Sequence, residues 1–378
     1  MPTAPPAVPA YGRASLGEVL ASSAAALGVR GFQDMLGLGR HEARDIAVLL
    51  VDGLGWRALG AHREIAPLMA AGSALAISAA FPTTTPVGLA SLGTALPPGG
   101  HGMVGATFLV PEDDRVLHPL GWGDDPNPLV VQPEPCVFEA CSAAGLEVRS
   151  VGPRAFRASG LTRAALRGSD YRGADTLGEF VAAVAGGRRG SGLRSLTYAY
   201  WADLDKTGHV HGVDSDPWRE ELRHVDAIVG RLRDRLPEET LLVVTADHGM
   251  VDCDGDSRID VDAVPALRDG VAMLAGEPRM RHVYARRGAA ADVEESWRHS
   301  LGDRAWVLSR EAVVGQGLFG DLDPAYLGRI GDVVALARDS HALVSPSTDS
   351  VVSSLRGQHG SSTPEEMDIP LIALPGNP

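Results

Sequence analysis

A carboxylate and an imidazole stand side by side at Asp247 and His248, directly after the apolar run 241–244. This run, which contains two β-branched valines, predicts a short buried strand of a parallel sheet. Ligands of open α/β sheets bind beyond the carboxyl ends of the strands. Both side chains suit divalent metal ions, and Gly249 permits a turn that aims them at one ion. Without further evidence, the pair is equally compatible with two residues that end a strand and bind no metal ion.

Other polar residues follow predicted strands or occupy loops: Asp52, the threonines 83–85, Asp205 with His209, and His359. Each of them alone has an ordinary explanation as a helix cap or a solvated loop residue. Asp203 and His211 are alternative ligands, because spacing does not separate them from Asp205 and His209. Together the clusters offer three carboxylates, three imidazoles and a hydroxyl. This donor set predicts two divalent metal ions, with zinc preferred and manganese as the alternative.

Thr85 and Pro86 predict the start of a helix that ends near Leu96. In this prediction Thr85 is the N-cap and Pro86 the first helical residue. The N-terminus of a helix also favours an anion, through its dipole and its free N–H groups. Thr85 is therefore either a cap alone or a hydroxyl placed to act as a nucleophile or to contact a phosphate.

The stretch 52–58, D-G-L-G-W-R-A, matches the dinucleotide-binding pattern G-x-G-x-x-A after a strand. That interpretation requires an acidic residue about 20 positions later to bind the ribose. No Asp or Glu occurs between Glu64 and Glu112. The sequence thus disfavours dinucleotide binding and leaves Asp52 as the residue of interest.

Apolar strands alternate with helical patterns up to residue 245, which predicts an α/β fold with a doubly wound, parallel sheet. A glycine-rich turn is predicted at 186–190. We predict that the chain has four parts: an N-terminal segment and helix at 1–37, a metal-binding α/β core at 38–253, an inserted cap subdomain at 254–345, and a C-terminal return to the core at 346–378.

The composition is that of a globular protein, with 22% charged and 44% hydrophobic residues. A formal charge of −14 repels polyanions, so we expect no nucleic acid polymer as a partner. Three cysteines without C-x-x-C spacing predict neither a disulfide framework nor a thiolate zinc site. No secretory signal or membrane span is visible, and we expect a cytoplasmic protein without a membrane partner.

The motifs, taken in their order, resemble the alkaline phosphatase superfamily and, within it, the nucleotide pyrophosphatase/phosphodiesterase (type I phosphodiesterase) branch. They are V-D-G-L at 51–54, F-P-T-T-T-P at 81–86, T-A-L-P-P-G-G-H-G at 94–102, D-K-T-G-H at 205–209, T-A-D-H-G at 245–249 and G-Q-H-G at 357–360. The resemblance implies an alkaline-phosphatase-like, doubly wound and mostly parallel sheet with helices on both faces and an inserted smaller cap subdomain.

The resemblance also implies the site. One metal ion would be bound by Asp205, His209 and His359, and the second by Asp52, Asp247, His248 and the hydroxyl of Thr85. Thr85 aligns with the nucleophile of the family, and Thr84 is the alternative. The implied activity is the hydrolysis of phosphate diesters or pyrophosphates of small molecules, nucleotides above all, through a phospho- or nucleotidyl-threonine.

Two further features of the sequence bear on this assignment. The family places a phosphate-binding Asn where this chain has Ala106, and Thr107 is the neighbouring candidate to replace it. The chain also lacks the C-x-P-x-R motif, which argues against sulfatase activity. We expect specificity to lie in 107–135 and 254–345, where Phe108 and Trp122 either stack on a base or belong to the core.

Three alternatives remain at this point. The first is a phosphomonoesterase or phosphonate hydrolase of the same superfamily, and the second is a phosphate-transferring mutase. The third, from another class, is a metal- or nucleotide-binding protein without turnover. Intact ligands and an unreactive Thr85 would indicate this last alternative.

Overall fold

The computed structural model describes residues 5–186 and 192–376, so that the glycine-rich turn predicted at 186–190 lies, beyond its first residue, outside the described part. Its strands are β1 Asp45–Val51, β2 Ser73–Ser78, β3 Phe108–Val110, β4 Arg115–Leu117, β5 Glu147–Gly152, β6 Asp170–Gly173, β7 Ser195–Trp201, β8 Thr240–Thr245, β9 Val251–Asp252, β10 Arg258–Asp260, β11 Val271–Glu277, β12 Met280–Ala285, β13 Ala305–Ser309, β14 Val333–Ala337, β15 Ala342–Val344, β16 Gly357–Gln358 and β17 Asp368–Pro375.

The helices lie between these strands, and short 3₁₀ turns join several of them. They are α1 Gly17–Ala26, α2 Trp56–Ala61, α3 Pro67–Ala71, α4 Thr85–Thr94, α5 Pro98–His101, α6 Pro128–Val131, α7 Val137–Ala143, α8 Gly160–Ala165, α9 Leu177–Ala185, α10 Asp203–His211, α11 Asp216–Arg235, α12 Ala290–Leu301, α13 Arg310–Gly315, α14 Pro346–Ser354 and α15 Pro364–Met367. Among the described helices, none combines the length and the apolar character that a membrane crossing requires.

A seven-stranded sheet in the order β2-β17-β8-β1-β7-β5-β6 forms the centre of the protein. The five strands from β8 to β6 are parallel to one another, whereas β17 is antiparallel to both of its neighbours. The predicted α/β fold with a mostly parallel sheet is therefore confirmed. The closing apolar run of the chain becomes β17, which lies between the edge strand β2 and β8.

The strands β1 and β8 lie in the interior of the sheet because both are apolar along almost their whole length. Their register brings Leu50 opposite Thr245, and Val51 lies opposite Trp201 of β7. The residues that follow β1, β7 and β8 consequently emerge together at one edge. This is the edge at which ligands of α/β sheets bind.

Helices cover the sheet, and the longest of them shows how its sequence selects the buried side. In α11 the buried residues recur every three or four positions, at Leu222, Val225, Val229 and Leu232. This spacing forms one apolar stripe that packs inward. Asp226 is also buried and accepts the N–H groups of Leu68 and Met69 in α3. The helix also contacts α3, α9 and α10, so that it supports the helix that carries two of the predicted ligands.

A smaller sheet lies within residues 254–345, in the order β11-β12-β14-β13 with all pairs antiparallel. The helix α12 packs on it through Trp297, which is fully buried in a separate apolar cluster with Val283 and Val333. A sheet with a core of its own agrees with an inserted subdomain in this region. It contacts the loop that follows α5 through a hydrogen bond between His282 Nε2 and the carbonyl oxygen of Val104 (2.9 Å).

Candidate metal centre and nucleophile

The first cluster of predicted ligands joins the helix α10 to the C-terminal return of the chain. Nε2 of His209 lies 3.3 Å from Oδ2 of Asp205. The same nitrogen lies 3.3 Å from Nε2 of His359, 150 residues later in the chain. His359 follows β16, which is held in place by its pairing with β9. These three residues offer ligand atoms that all lie within 4.8 Å of one another.

The structure separates these ligands from the two alternatives in the same stretch. Residues 203–211 form a helix rather than the expected loop, and the spacing of four residues brings Asp205 and His209 to the same side. Asp203 instead pairs with Lys206 (2.9 Å). His211 is exposed to solvent. Neither alternative residue contributes to the cluster.

The second cluster lies at the carboxyl ends of β1 and β8. Nε2 of His248 is 3.3 Å from Oδ1 of Asp52 and 3.7 Å from Oδ2 of Asp247. All three residues are buried, and their ligand atoms again lie within 4.8 Å of one another. The imidazoles of His248 and His359 stack with ring centroids 3.8 Å apart, so the two clusters adjoin.

The three histidines share one hydrogen-bonding arrangement. Nδ1 lies at hydrogen-bond distance from a backbone carbonyl in each case: Gly357 for His209 (2.7 Å), Gly249 for His248 (3.0 Å) and Thr83 for His359 (2.9 Å). Donation from Nδ1–H to these oxygens leaves the lone pair of each Nε2 directed into the site. Such outer hydrogen bonds are typical of histidines that bind metals, because they fix the tautomer and the ring.

The donor atoms fit divalent cations. Tetrahedral zinc with bonds of about 2.0–2.2 Å separates its ligand atoms by about 3.4 Å. The nitrogen–nitrogen and nitrogen–oxygen distances of 3.3 Å match that separation. Each aspartate also has one buried oxygen without a hydrogen-bond partner in the described part of the chain: Oδ1 of Asp52, Oδ1 of Asp205 and Oδ2 of Asp247.

The charges of the two clusters favour a cation as well. Burial raises the pKa of Asp52 well above its usual value, and the charges of Asp247 and Asp205 raise it further. Burial likewise raises the pKa of Asp247. For Asp205, burial is outweighed by the electrostatic interaction and hydrogen bond with His209 and by the interactions with His359 and His248, so that its pKa is lowered. A dication would relieve both the desolvation and the repulsion of these carboxylates.

Thr85 lies against the second cluster. It is the first residue of α4, whose N-cap is Thr84, so the prediction that Thr85 is the N-cap is wrong by one position. Its Oγ1 lies 3.3 Å from Nε2 of His248 and does not cap the helix. The hydroxyl thus faces the donor atoms of Asp52 and His248 at the positive end of a helix of ten residues.

A small cavity of about 70 Å³ opens beside Thr85. Its walls are apolar and aromatic, and its lining includes Phe156, Tyr171, Tyr198 and Tyr200. Phe156 is 38% exposed at the surface, whereas the hydroxyl of Tyr198 is buried without a hydrogen-bond partner in the described residues. A flat organic group bound to a phosphorus atom at Thr85 would meet these side chains.

The structure changes three expectations about the regions that were expected to determine substrate specificity. The hydroxyl of Thr107 donates to the carbonyl oxygen of Gly276 (3.0 Å) and accepts from its N–H (2.8 Å), so it is not free to replace the Asn missing at Ala106. Phe108 and Trp122 are buried and belong to the core. Of the two regions expected to determine specificity, only 107–135 contributes to the cavity lining.

Tyr200 and Glu277 belong to the surroundings of the site and were missed in the sequence. Tyr200 donates its hydroxyl to Oδ2 of Asp52. In the sequence Tyr200 looks like an ordinary aromatic residue of a strand. The one feature that could have indicated a role in the site is its position five residues before Asp205. Glu277 lies far from every motif, and no pattern around it indicates a site.

We expect Tyr200→Phe to weaken metal binding at the cluster of Asp52 about tenfold, because a ligand carboxylate loses the donor that orients it. Competition with a chelating dye measures this affinity. Tyr171→Phe is the matched control, since that hydroxyl also lines the cavity but donates to the carbonyl oxygen of Pro153 (2.8 Å). Equal affinities in the two variants would show that Tyr200 does not orient Asp52.

A sequence model of the type I phosphodiesterase / nucleotide pyrophosphatase family matches residues 46–362. Among curated proteins, the human GPI ethanolamine phosphate transferase 3 catalytic subunit is 34% identical over 91 residues, which are 23% of this chain and 8% of that protein. Human ectonucleotide pyrophosphatase/phosphodiesterase family member 5 is 26% identical over 172 residues, 44% of this chain and 34% of that protein. The chain thus spans less than a tenth of the first of these relatives and about a third of the second.

Solved structures show the same fold. Murine ectonucleotide pyrophosphatase/phosphodiesterase 5 superposes with a TM-score of 0.68 at 19% identity, covering 87% of both chains. A second structure of that murine protein, an inactive threonine-to-alanine variant in complex with AMP, superposes equally well. The alkaline-phosphatase-like architecture expected from the motifs is therefore confirmed.

Proposed function

The chain belongs to the type I phosphodiesterase / nucleotide pyrophosphatase family, and from this premise we propose that it hydrolyses phosphate diesters or pyrophosphates of small molecules. The observation that carries the proposal is the position of Thr85. Its hydroxyl lies at a helix N-terminus, 3.3 Å from His248 in a cluster that also contains Asp52 and Asp247. A hydroxyl, three carboxylates and three imidazoles at one sheet edge form the donor set of a dinuclear hydrolase.

We assign the two metal positions as the motifs imply. Asp205, His209 and His359 would hold one ion, and Asp52, Asp247, His248 and Thr85 the other. Two divalent ions, zinc or alternatively manganese, would favour the alkoxide of Thr85 and stabilise the attacking and leaving oxygens. The residues supply the geometry for this chemistry, since every Nε2 and one free oxygen of each aspartate face the site.

In the proposed reaction Thr85 acts as a nucleophile. Its Oγ1 gives up its proton to solvent and forms a bond to phosphorus, while the bond from phosphorus to the leaving oxygen breaks. The leaving group departs and takes up a proton from solvent. Free N–H groups at the start of α4 face the negative oxygens of the phosphoryl group. Water then hydrolyses the covalent phospho- or nucleotidyl-threonine, and Thr85 regains its proton.

A nucleotide is the substrate that the surroundings of Thr85 favour. The adjoining cavity is lined by aromatic side chains, among them Phe156 and Tyr171, against which a base would pack. A related protein is named bis(5'-adenosyl)-triphosphatase, and the murine structural neighbour was solved with AMP. These names support the nucleotide proposal.

The test compares a p-nitrophenyl phosphate monoester with a nucleotide p-nitrophenyl diester, each with zinc, manganese or magnesium added to metal-free protein. We expect the diester to be preferred in kcat/KM by about tenfold or more, because only the nucleotide ester places a base against the cavity. Preference for the monoester would indicate a phosphomonoesterase instead. Binding without turnover at every metal would indicate a non-catalytic protein.

A further inference from the structure

Glu277 at the end of β11 places a carboxylate behind the first metal cluster. Its Oε2 lies 3.5 Å from Nδ1 of His359 and accepts a hydrogen bond from Oγ1 of Thr84 (3.3 Å). Its Oε1 is buried and has no hydrogen-bond partner in the described residues. The side chain belongs to the smaller sheet, so residues 254–345 reach the site through this carboxylate.

The backbone around Glu277 holds it in this position. Gly276, with φ +89°, donates its N–H to Thr107 on one side. On the other side, the buried guanidinium of Arg279 forms two hydrogen bonds to Glu366 (3.1 and 2.7 Å). Glu366 also accepts the N–H of Ser361, two residues after His359 (3.0 Å). One ion pair therefore ties the hairpin of Glu277 to the loop of His359.

The chain leaves no room between Glu277 and this loop. Gly360 has φ +128°, and a β-carbon there would lie 2.7 Å from Cγ of Glu277. Thr83 holds the opposite side of the loop, because its hydroxyl donates to Ser361 (2.7 Å) and accepts from Gly360 (3.0 Å). His359 is thus enclosed between Thr83 and Glu277.

A structural ion pair does not explain this carboxylate. The side chain of Glu277 is buried. Among the described residues, no Lys or Arg forms an ion pair with it within 4 Å, and its one charge contact is with the imidazole of His359.

We propose that Glu277 is a positioning residue for His359: its carboxylate lies 3.5 Å from Nδ1, beside the carbonyl oxygen of Thr83 that accepts the Nδ1–H, and the two together hold the ring with Nε2 free for the metal ion. This inference rests on the metal centre proposed above. A carboxylate behind a metal-binding histidine raises the basicity of the ligand and fixes its ring. The inserted region thereby takes part in metal binding as well as in covering the core.

The test measures zinc binding to the full chain by competition with a chelating dye, with the melting temperature of the metal-free protein beside it. We expect Glu277→Ala to weaken the binding of one of two ions about tenfold to hundredfold and to leave the other ion nearly unchanged. Glu277→Gln keeps an acceptor but loses the charge, so we expect it to restore part of the affinity. If Glu277→Ala does not fold, a clear loss of affinity for one of the two zinc ions in Glu277→Gln still supports the proposal.

Asp349→Asn is the matched control. It destabilises the inserted region by weakening the ion pair of Asp349 with Arg281, but Asp349 is not in contact with a proposed metal ligand. An equal loss of zinc affinity in this control would overturn the proposal, because general loosening would explain the effect. Unchanged binding of two ions in both Glu277 variants would overturn the role of Glu277 alone. A parent chain that binds no zinc would overturn the metal centre together with it.

Discussion

Thr85→Ala is expected to lower turnover by about 10³-fold or more while substrate binding and both metal ions are largely retained. The variant removes the oxygen that forms the bond to phosphorus, whereas His248, Asp52 and Asp247 remain in place. Steady-state kinetics and metal analysis of the same preparation separate the two effects. Thr85→Ser keeps a hydroxyl at the position and should retain part of the activity.

A true helix cap provides the contrast. Thr176 accepts the N–H of Glu179 at the start of α9 (3.2 Å), far from the site in sequence. Thr176→Ala should cost about 1 kcal/mol of stability and leave turnover intact. Thr84→Ala should lower turnover severalfold at most, since its hydroxyl donates to Glu277 rather than to a proposed metal ligand. If Thr85→Ala behaved like Thr176→Ala, Thr85 would have no part in the chemistry.

The second large effect is expected from Asp247→Asn and His359→Ala, which should each abolish most of the activity. The two residues lie in different clusters, so each variant should lose one of two metal ions. Lost metal binding also lowers stability, because an ion at 100 times its dissociation constant contributes about 2.7 kcal/mol to folding. Activity, metal content and melting temperature with added zinc measure these consequences.

His211→Ala is the matched control for these variants. His211 lies at the end of α10, the helix that carries His209, but its side chain is exposed. It should keep the activity, the metal content and the stability of the parent. Full activity in His359→Ala would mean that the C-terminal return contributes no ligand, and the two-metal arrangement would then be wrong.

The core of the fold could be predicted because its strands are fully buried. Continuous apolar residues in β1 and β8 indicate interior parallel strands from the sequence alone. The helix α10 could not be predicted in this way. Its sequence D-L-D-K-T-G-H-V-H lacks an apolar stripe, and its position is determined by packing on α11 and on β16.

The site could be predicted as far as its motifs extend. All seven residues named for metal binding or catalysis lie in the two adjoining clusters or against them. Glu277 could not be found, since its role arises from a hairpin that tertiary contacts at Thr107 and Glu366 bring to His359. The cap position at Thr84 was missed by one residue because Thr85 and Pro86 both adopt helical backbone angles.

The covalent intermediate on Thr85 is the most direct test of the proposed chemistry. Enzyme mixed with a nucleotide diester is quenched in acid within its first turnovers, digested and analysed by mass spectrometry. We predict a phosphoryl or nucleotidyl group on the peptide of residues 83–85, with fragment ions that assign it to Thr85, and no such group in Thr85→Ala. A group on Thr84, or turnover by Thr85→Ala at the rate of the parent, would contradict Thr85 as the nucleophile.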